Sequence, residues 1–145
     1  MMNFSKENLI GQGTSRKVYR CEDKNYIVKE YLKNTQNNQN LIEWNIFKYV
    51  NFSKNGWKIK TFLNECISIE NNGKYLICPY CEKNNKEISW NIFGTYVESF
   101  WDWKNLNNWG ILNNQLKLID YGYPGNIYFL KDLSNFEEIL GEIHK

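Results

Sequence analysis

Residues Asn8-Leu9-Ile10-Gly11-Gln12-Gly13-Thr14-Ser15-Arg16-Lys17-Val18-Tyr19-Arg20-Cys21-Glu22-Asp23-Lys24-Asn25-Tyr26-Ile27-Val28-Lys29-Glu30-Tyr31-Leu32 decide how this chain folds. Their apolar, β-branched and aromatic runs are broken twice, by the Gly11/Gly13 pair and by the polar stretch Glu22–Asn25. That pattern predicts two or three short antiparallel strands joined by tight turns. Beyond a polar Asn/Gln stretch, Leu41, Ile42, Trp44, Ile46, Phe47 and Val50 recur at roughly helical spacing, which predicts an amphipathic helix starting near Gln39. Strands then resume. Alternation around Ile59 to Ile69 predicts one, Asn71-Asn72-Gly73 a turn, and Tyr75 to Cys78 a second strand. Ile88, Ile92, Phe93, Tyr96, Val97, Phe100 and Trp101 fall at helical intervals and predict a second helix over 88–103. Residues 115–130 read as strand, turn and short strand. A closing helix over Leu133 to Ile143 is expected, with Ser134 and Glu137 as its capping box.

The composition bounds the function. A chain of 145 residues has the length of one domain. A net charge of +2 gives no one-sided field, and Arg occurs only at Arg16 and Arg20, so nucleic acid is not the favoured partner. No apolar run approaches the ~18 residues of a membrane span, and the N-terminus lacks a signal-peptide core, so a cytoplasmic location is expected. The four cysteines, Cys21, Cys66, Cys78 and Cys81, are accordingly expected as free thiols. Ala is absent while Asn, Lys, Ile and Tyr abound, the residues of A/T-rich codons, which points to an AT-rich bacterium or one of its mobile elements.

Five landmarks occur in a fixed order: Gly11-Gln12-Gly13 with Val18, Ile27-Val28-Lys29, a helix bearing Glu43, Tyr75 to Glu82, and Leu118-Ile119-Asp120-Tyr121-Gly122. Together they resemble the protein kinase-like fold. The resemblance covers residues 9 to about 122. It implies an α+β chain: a small lobe of antiparallel sheet plus one helix over about 1–79, then a hinge and a strongly reduced helical large lobe over 80–145, all in one miniature domain.

The same resemblance implies roles. Gly11 and Gly13 would let backbone approach phosphate, with Val18 roofing an adenine. Lys29 would hold the nucleotide phosphates, paired with Glu43 from the helix. Arg16 stands where the third glycine of the turn usually lies, bringing a cation to the phosphate side. Ile27 is larger than the residue usual above the adenine and would narrow the pocket. Pro79 and Cys81 would form the hinge, Leu112 would line the adenine site, and Asp120 would hold magnesium beside ATP. Counting back from Ile111-Leu112, the catalytic loop places Asn105 at the proton acceptor and Gly110 at the metal-binding amide, so both groups are lost; Asp102 enters only if that register shifts.

The expected function is therefore a degenerate kinase-like protein, a pseudokinase, that acts by binding a protein partner, with or without nucleotide. Trp101, Trp103 and Trp109 are the candidate anchors. A phage-encoded inhibitor of a host system is the expected setting, and homodimerisation the expected consequence of exposed apolar surface. An active ATP-dependent phosphotransferase with an unusual base is the alternative. Cys78-Pro79-Tyr80-Cys81 also spells the redox motif of glutaredoxins, but it sits past mid-chain and is not followed at once by a helix. A zinc site has only Cys21, Cys66 and His144 left, at no matching spacing.

Overall fold

The computed structural model of the chain describes residues 2–33, 38–52, 57–90, 97, 100, 102–123 and 126. Strands β1 (Phe4–Gln12), β2 (Arg16–Cys21) and β3 (Tyr26–Tyr31) follow in succession, with turns where the glycine pair and Glu22–Asn25 break the pattern. Helix α1 (Gln39–Phe52) comes next, then one helical turn α2 (Trp57–Lys60), β4 (Ser68–Glu70) and β5 (Tyr75–Pro79). Strands β6 (Glu82–Lys83), β7 (Trp109–Leu112) and β8 (Gln115–Leu118) complete the order. Two antiparallel sheets result: β1-β2-β3-β5-β4 and β6-β7-β8. The fold class is α+β, and no described helix is long and apolar enough to cross a membrane.

Strand alternation sorts β3 into two faces. Ile27 joins the main core with Ile46, Phe47, Val50 and Leu76, and Val28 joins a smaller cluster with Cys21 and Ile77 on the other face. Helix α1 buries Asn40, Glu43, Phe47 and Val50, a stripe at helical spacing whose first half is polar and second half apolar. The apolar half anchors the helix to the core. The polar half faces the site described below. The cap is Asn38, whose Oδ1 accepts from the N–H groups of Asn40 at 2.8 Å and Leu41 at 3.2 Å.

The structure departs from the sequence reading at several points. Residues 57–60 are a helical turn, and no strand forms between that turn and Ser68. Ile59, Phe62 and Leu63 are all buried, and two consecutive buried residues do not fit one face of a half-buried strand; their spacing is that of a helical turn. The second departure is Trp109. Expected as a docking anchor, it is 1% exposed, packs on Phe62 and Trp90, and donates its Nε1–H to the Trp103 carbonyl at 2.7 Å. Trp103 is half-buried edge-on against Trp90, while Trp101 lies outside the described residues. Third, residues 102–104 form a turn, with Asp102 at φ 59°, so the predicted helix over 88–103 does not reach its end. Ile88, Val97 and Phe100 do enter the core. The rest of 91–101, the short strand after Pro124 and the helix over 133–143 lie outside the described residues.

The Asn71-Asn72-Gly73 turn forms as predicted, with Gly73 at φ 93°. A Cβ there would come within 2.6 Å of Leu41 Cγ and 2.8 Å of Asn38 Nδ2, against the start of α1. Gly73→Ala is therefore expected to destabilise the chain by more than about 1 kcal/mol, since it combines a left-handed backbone with a clash. Urea unfolding measures it; an unchanged midpoint would show that the turn does not seat the helix.

Candidate functional site

Between the two sheets lies a cavity of about 530 Å³. Its roof is the turn from Ile10 to Arg16, its back wall Val18, Ile27 and Lys29, and its far edge Pro79, Tyr80 and Cys81. Asn107, Asn108, Ile119 and Asp120 close the side next to the second sheet.

Four charged side chains converge at one end. Register places Lys29 of β3 opposite Val18 of β2, so Arg16, Val18, Ile27 and Lys29 share one sheet face. Lys29 Nζ donates to Glu43 Oε1 and to the Ile119 carbonyl. Arg16 Nη1 donates to Glu43 Oε2 at 2.6 Å and to Asn40 Oδ1 at 3.2 Å, and its Nη2 donates to Asp120 Oδ1 at 2.6 Å. Glu43 is 1% exposed, Lys29 4% and Arg16 6%, so three of the four charges are buried. The Asp120 side chain keeps 56% of its surface open.

The charge balance shows in the acidities. Burial opposes the charged form of Arg16, but Glu43 and Asp120 outweigh it and raise its pKa. Burial opposes the Lys29 ammonium too, and Glu43 more than restores it. Burial would raise the Asp120 carboxyl; Arg16, then Lys29 and the Gly122 N–H, hold it below its ordinary value.

Asn40 is the group that sequence reasoning missed. Fully buried, it spends its amide N–H groups on the carbonyls of Lys29 at 2.9 Å, Gly73 at 3.0 Å and Lys74 at 3.1 Å, while its oxygen holds Arg16. A polar residue on an otherwise amphipathic helix was its only signal. Gly122 is the second. A Cβ on it would meet the Gln39 carbonyl at 2.6 Å and Glu43 Oε2 at 3.1 Å, so the segment carrying Asp120 lies against α1 only because Gly122 has none.

Most of the predicted site residues do assemble. Gly11, Gly13, Val18, Lys29, Pro79, Cys81 and Asp120 all line the cavity, and Glu43 stands directly behind Lys29. Leu112 does not: it ends β7 at the Asn113-Asn114 turn and lines a separate cavity with Phe47, Leu63 and Lys117. The Pro79 carbonyl, expected to be an acceptor for adenine, already accepts from Asn64 Nδ2 at 3.1 Å.

The loop register also changes. The strand after the loop begins at Trp109, two residues before Ile111, where the sequence pattern starts it. Gly110 sits inside β7, where a Cβ would come within 2.6 Å of Cys81 Cβ; it is a packing residue. Asn105 caps the short turn Leu106–Asn108 and donates to Asp102 Oδ2 at 3.0 Å. Asn108 Nδ2 donates to the Asp102 carbonyl at 3.1 Å and approaches its Oδ2 at 3.4 Å. The loop thus presents a carboxylate, Asp102, one side chain away from the cavity wall. Asn107, which also lines the cavity, follows Asp102 by five residues.

Cys78 is buried within β5, and Cys81 is followed by β6 rather than a helix. Burial pushes the Cys81 thiol up to about 11. Neither sulfur has the exposed, helix-capped setting of a redox thiolate. As for magnesium, Asp120 is the carboxylate that the described residues offer the cavity, Arg16 holds one oxygen of it, and no group of three or more His, Cys, Asp or Glu converges among those residues. Asp120 therefore meets a protein cation, Arg16, at the place where the resemblance puts magnesium.

No family model matches the chain, and no curated protein matches it significantly. The site's own geometry therefore carries the function.

Two outcomes follow from the network. Glu43→Gln removes the charge shared by two buried cations and is expected to cost about 3–5 kcal/mol, read from urea unfolding. For Asp120 the sign is set by its lowered folded pKa: the bridge to Arg16 stabilises above the unfolded value of 3.8 and is lost as pH falls through the folded one. The melting-temperature gap between wild type and Asp120→Asn should therefore be widest near neutral pH and close below pH 3.8. A gap of undiminished size well below that pH would assign the effect to something other than the ionised bridge.

Proposed function

We propose that the chain is a kinase-like nucleotide-binding protein, with a nucleoside triphosphate held in the cavity between its two sheets. The observation that carries this reading is the placement of two buried cations, Lys29 and Arg16, beneath a turn whose glycines face the same space. Phosphate oxygens would meet Lys29, Arg16 and the backbone of the turn. The base would lie toward Val18, Ile27, Tyr80 and Cys81, the apolar end of the same cavity. A volume of about 530 Å³ suits a ligand of that size. The Lys29–Glu43 pair corresponds to the strand-lysine and helix-glutamate pair of protein kinases.

The glycines add a second line of support. A Cβ on Gly11 would find Val18 Cβ at a comfortable 3.8 Å, and one on Gly13 would find nothing within 4 Å. Neither glycine has the positive φ of Gly73. Packing asks for no glycine at either position, whereas a phosphate lying on the backbone would.

A second reading, transfer of the terminal phosphoryl group to a hydroxyl, is favoured by Asp102. Its carboxylate would accept the hydroxyl proton as the oxygen attacks phosphorus and the nucleoside diphosphate leaves. Arg16 and Lys29 would carry the charge on the transferring group.

ATP is expected to raise the melting temperature of the full chain, and Gly13→Ala and Lys29→Ala to abolish that shift. Gly13→Ala should itself melt at or slightly above the wild-type temperature, because replacing an unstrained glycine removes unfolded-state entropy. Absence of any ATP-dependent shift in the wild type would rule the reading out. Incubation with γ-labelled ATP and a mixture of hydroxyl acceptors tests the second reading: label transfer should appear in the wild type and fall by about 10² or more in Asp102→Asn.

A further inference from the structure

Three charged groups reach the cavity wall, Arg16, Lys29 and Asp120, with Glu43 buried behind them. Glu43 divides its two oxygens between the two cations. Among the described residues Asp120 is then the single anion facing the cavity, and its partner is the guanidinium of its own chain. In kinases that position belongs to a metal ion, which links a carboxylate to the phosphates. Here Arg16 Nη2 already stands there, 2.6 Å from Asp120 Oδ1, while Asn40 and Glu43 fix Nη1 of the same group. Nη2 makes one hydrogen bond among the described residues, so a second N–H on that nitrogen remains for an incoming oxygen.

We infer that Arg16 is a resident cation of the phosphate site that takes the place of a divalent metal, so that the polyphosphate binds without one. The inference rests on the nucleotide reading above. Arginine suits this role because it is permanently charged and its planar fork matches phosphate oxygens two at a time. Its position is set before any ligand arrives, because Arg16 opens β2 directly after the glycine turn and is buried between α1 and Asp120. Asp120 acts as a competitor for the guanidinium. Removing its charge should strengthen metal-free binding, the reverse of what removing a metal ligand does.

Isothermal titration of the full chain with ATP, in excess EDTA and separately with magnesium, tests this. The expected result is binding in EDTA within about threefold of that in magnesium, tightened by Asp120→Asn and weakened about tenfold or more by Arg16→Gln, with Arg16→Lys between. Binding by the wild type only when magnesium is present, and lost in Asp120→Asn, would overturn the inference while leaving the nucleotide reading intact. Binding under neither condition would remove the nucleotide reading itself. Because the EDTA comparison uses the wild type and Asp120→Asn changes a half-open side chain, the outcome does not depend on whether Arg16→Gln folds.

Discussion

The Glu43 carboxylate is divided between an ammonium and a guanidinium, and few other arrangements of the surrounding chain would be tolerated. Buried charges are stable only when each is partnered with good geometry; an orphaned member is worth several kcal/mol against the fold. Glu43 Oε1 takes Lys29 from β3 and Oε2 takes Arg16 from β2. Arg16 reaches on to Asp120 and Lys29 to the Ile119 carbonyl, so the segment after β8 is drawn to the same point. Four separate stretches of chain are thereby held to one carboxylate. The apolar core fixes where α1 lies, but the ionic group fixes how far along the sheet it slides, because moving α1 by one turn would leave both cations without their anion.

Much of this was legible. The strands around the glycine pair, the helix start at Gln39 and the Asn71–Gly73 turn follow from local chemistry, and local chemistry decides them in the structure. The Lys29–Glu43 pairing was reachable through the resemblance alone, since nothing in spacing connects two residues 14 apart across a strand and a helix. Arg16 was harder. Its identity as the third partner depends on meeting residues 27 and 104 positions away, and no periodicity spans those separations. Taken along the chain, an arginine at a position usually held by glycine looks like a loss.

The start of the strand after the loop was misread for a different reason. In the sequence reading the strand is placed by resemblance at Ile111-Leu112, past Gly110, a residue type that weakens strands. In the fold Gly110 is inside β7 because Cys81, at the entrance to the neighbouring strand, approaches too closely for a side chain. That requirement comes with β6, two exposed polar residues with no strand signature. With the strand starting two residues earlier, counting back from Ile111 no longer supports placing Asn105 at the proton acceptor. Trp109 was ambiguous in the same way: a large aromatic serves equally at an interface or in a core, and only the packing of Phe62 and Trp90 around it decides.

Comparison among the glycines separates what the fold needs from what it does not. At Gly73, Gly110 and Gly122 a methyl group would come within 2.6 Å of another part of the chain, so packing alone accounts for them. At Gly11 and Gly13 it would meet ordinary contact or open space. Glycine carries an entropic penalty in the unfolded chain, and a position that tolerates a side chain gains stability by acquiring one. Two such positions lie close together on the wall of one cavity, above two buried cations. The fold itself gives no packing reason for glycine at either of them.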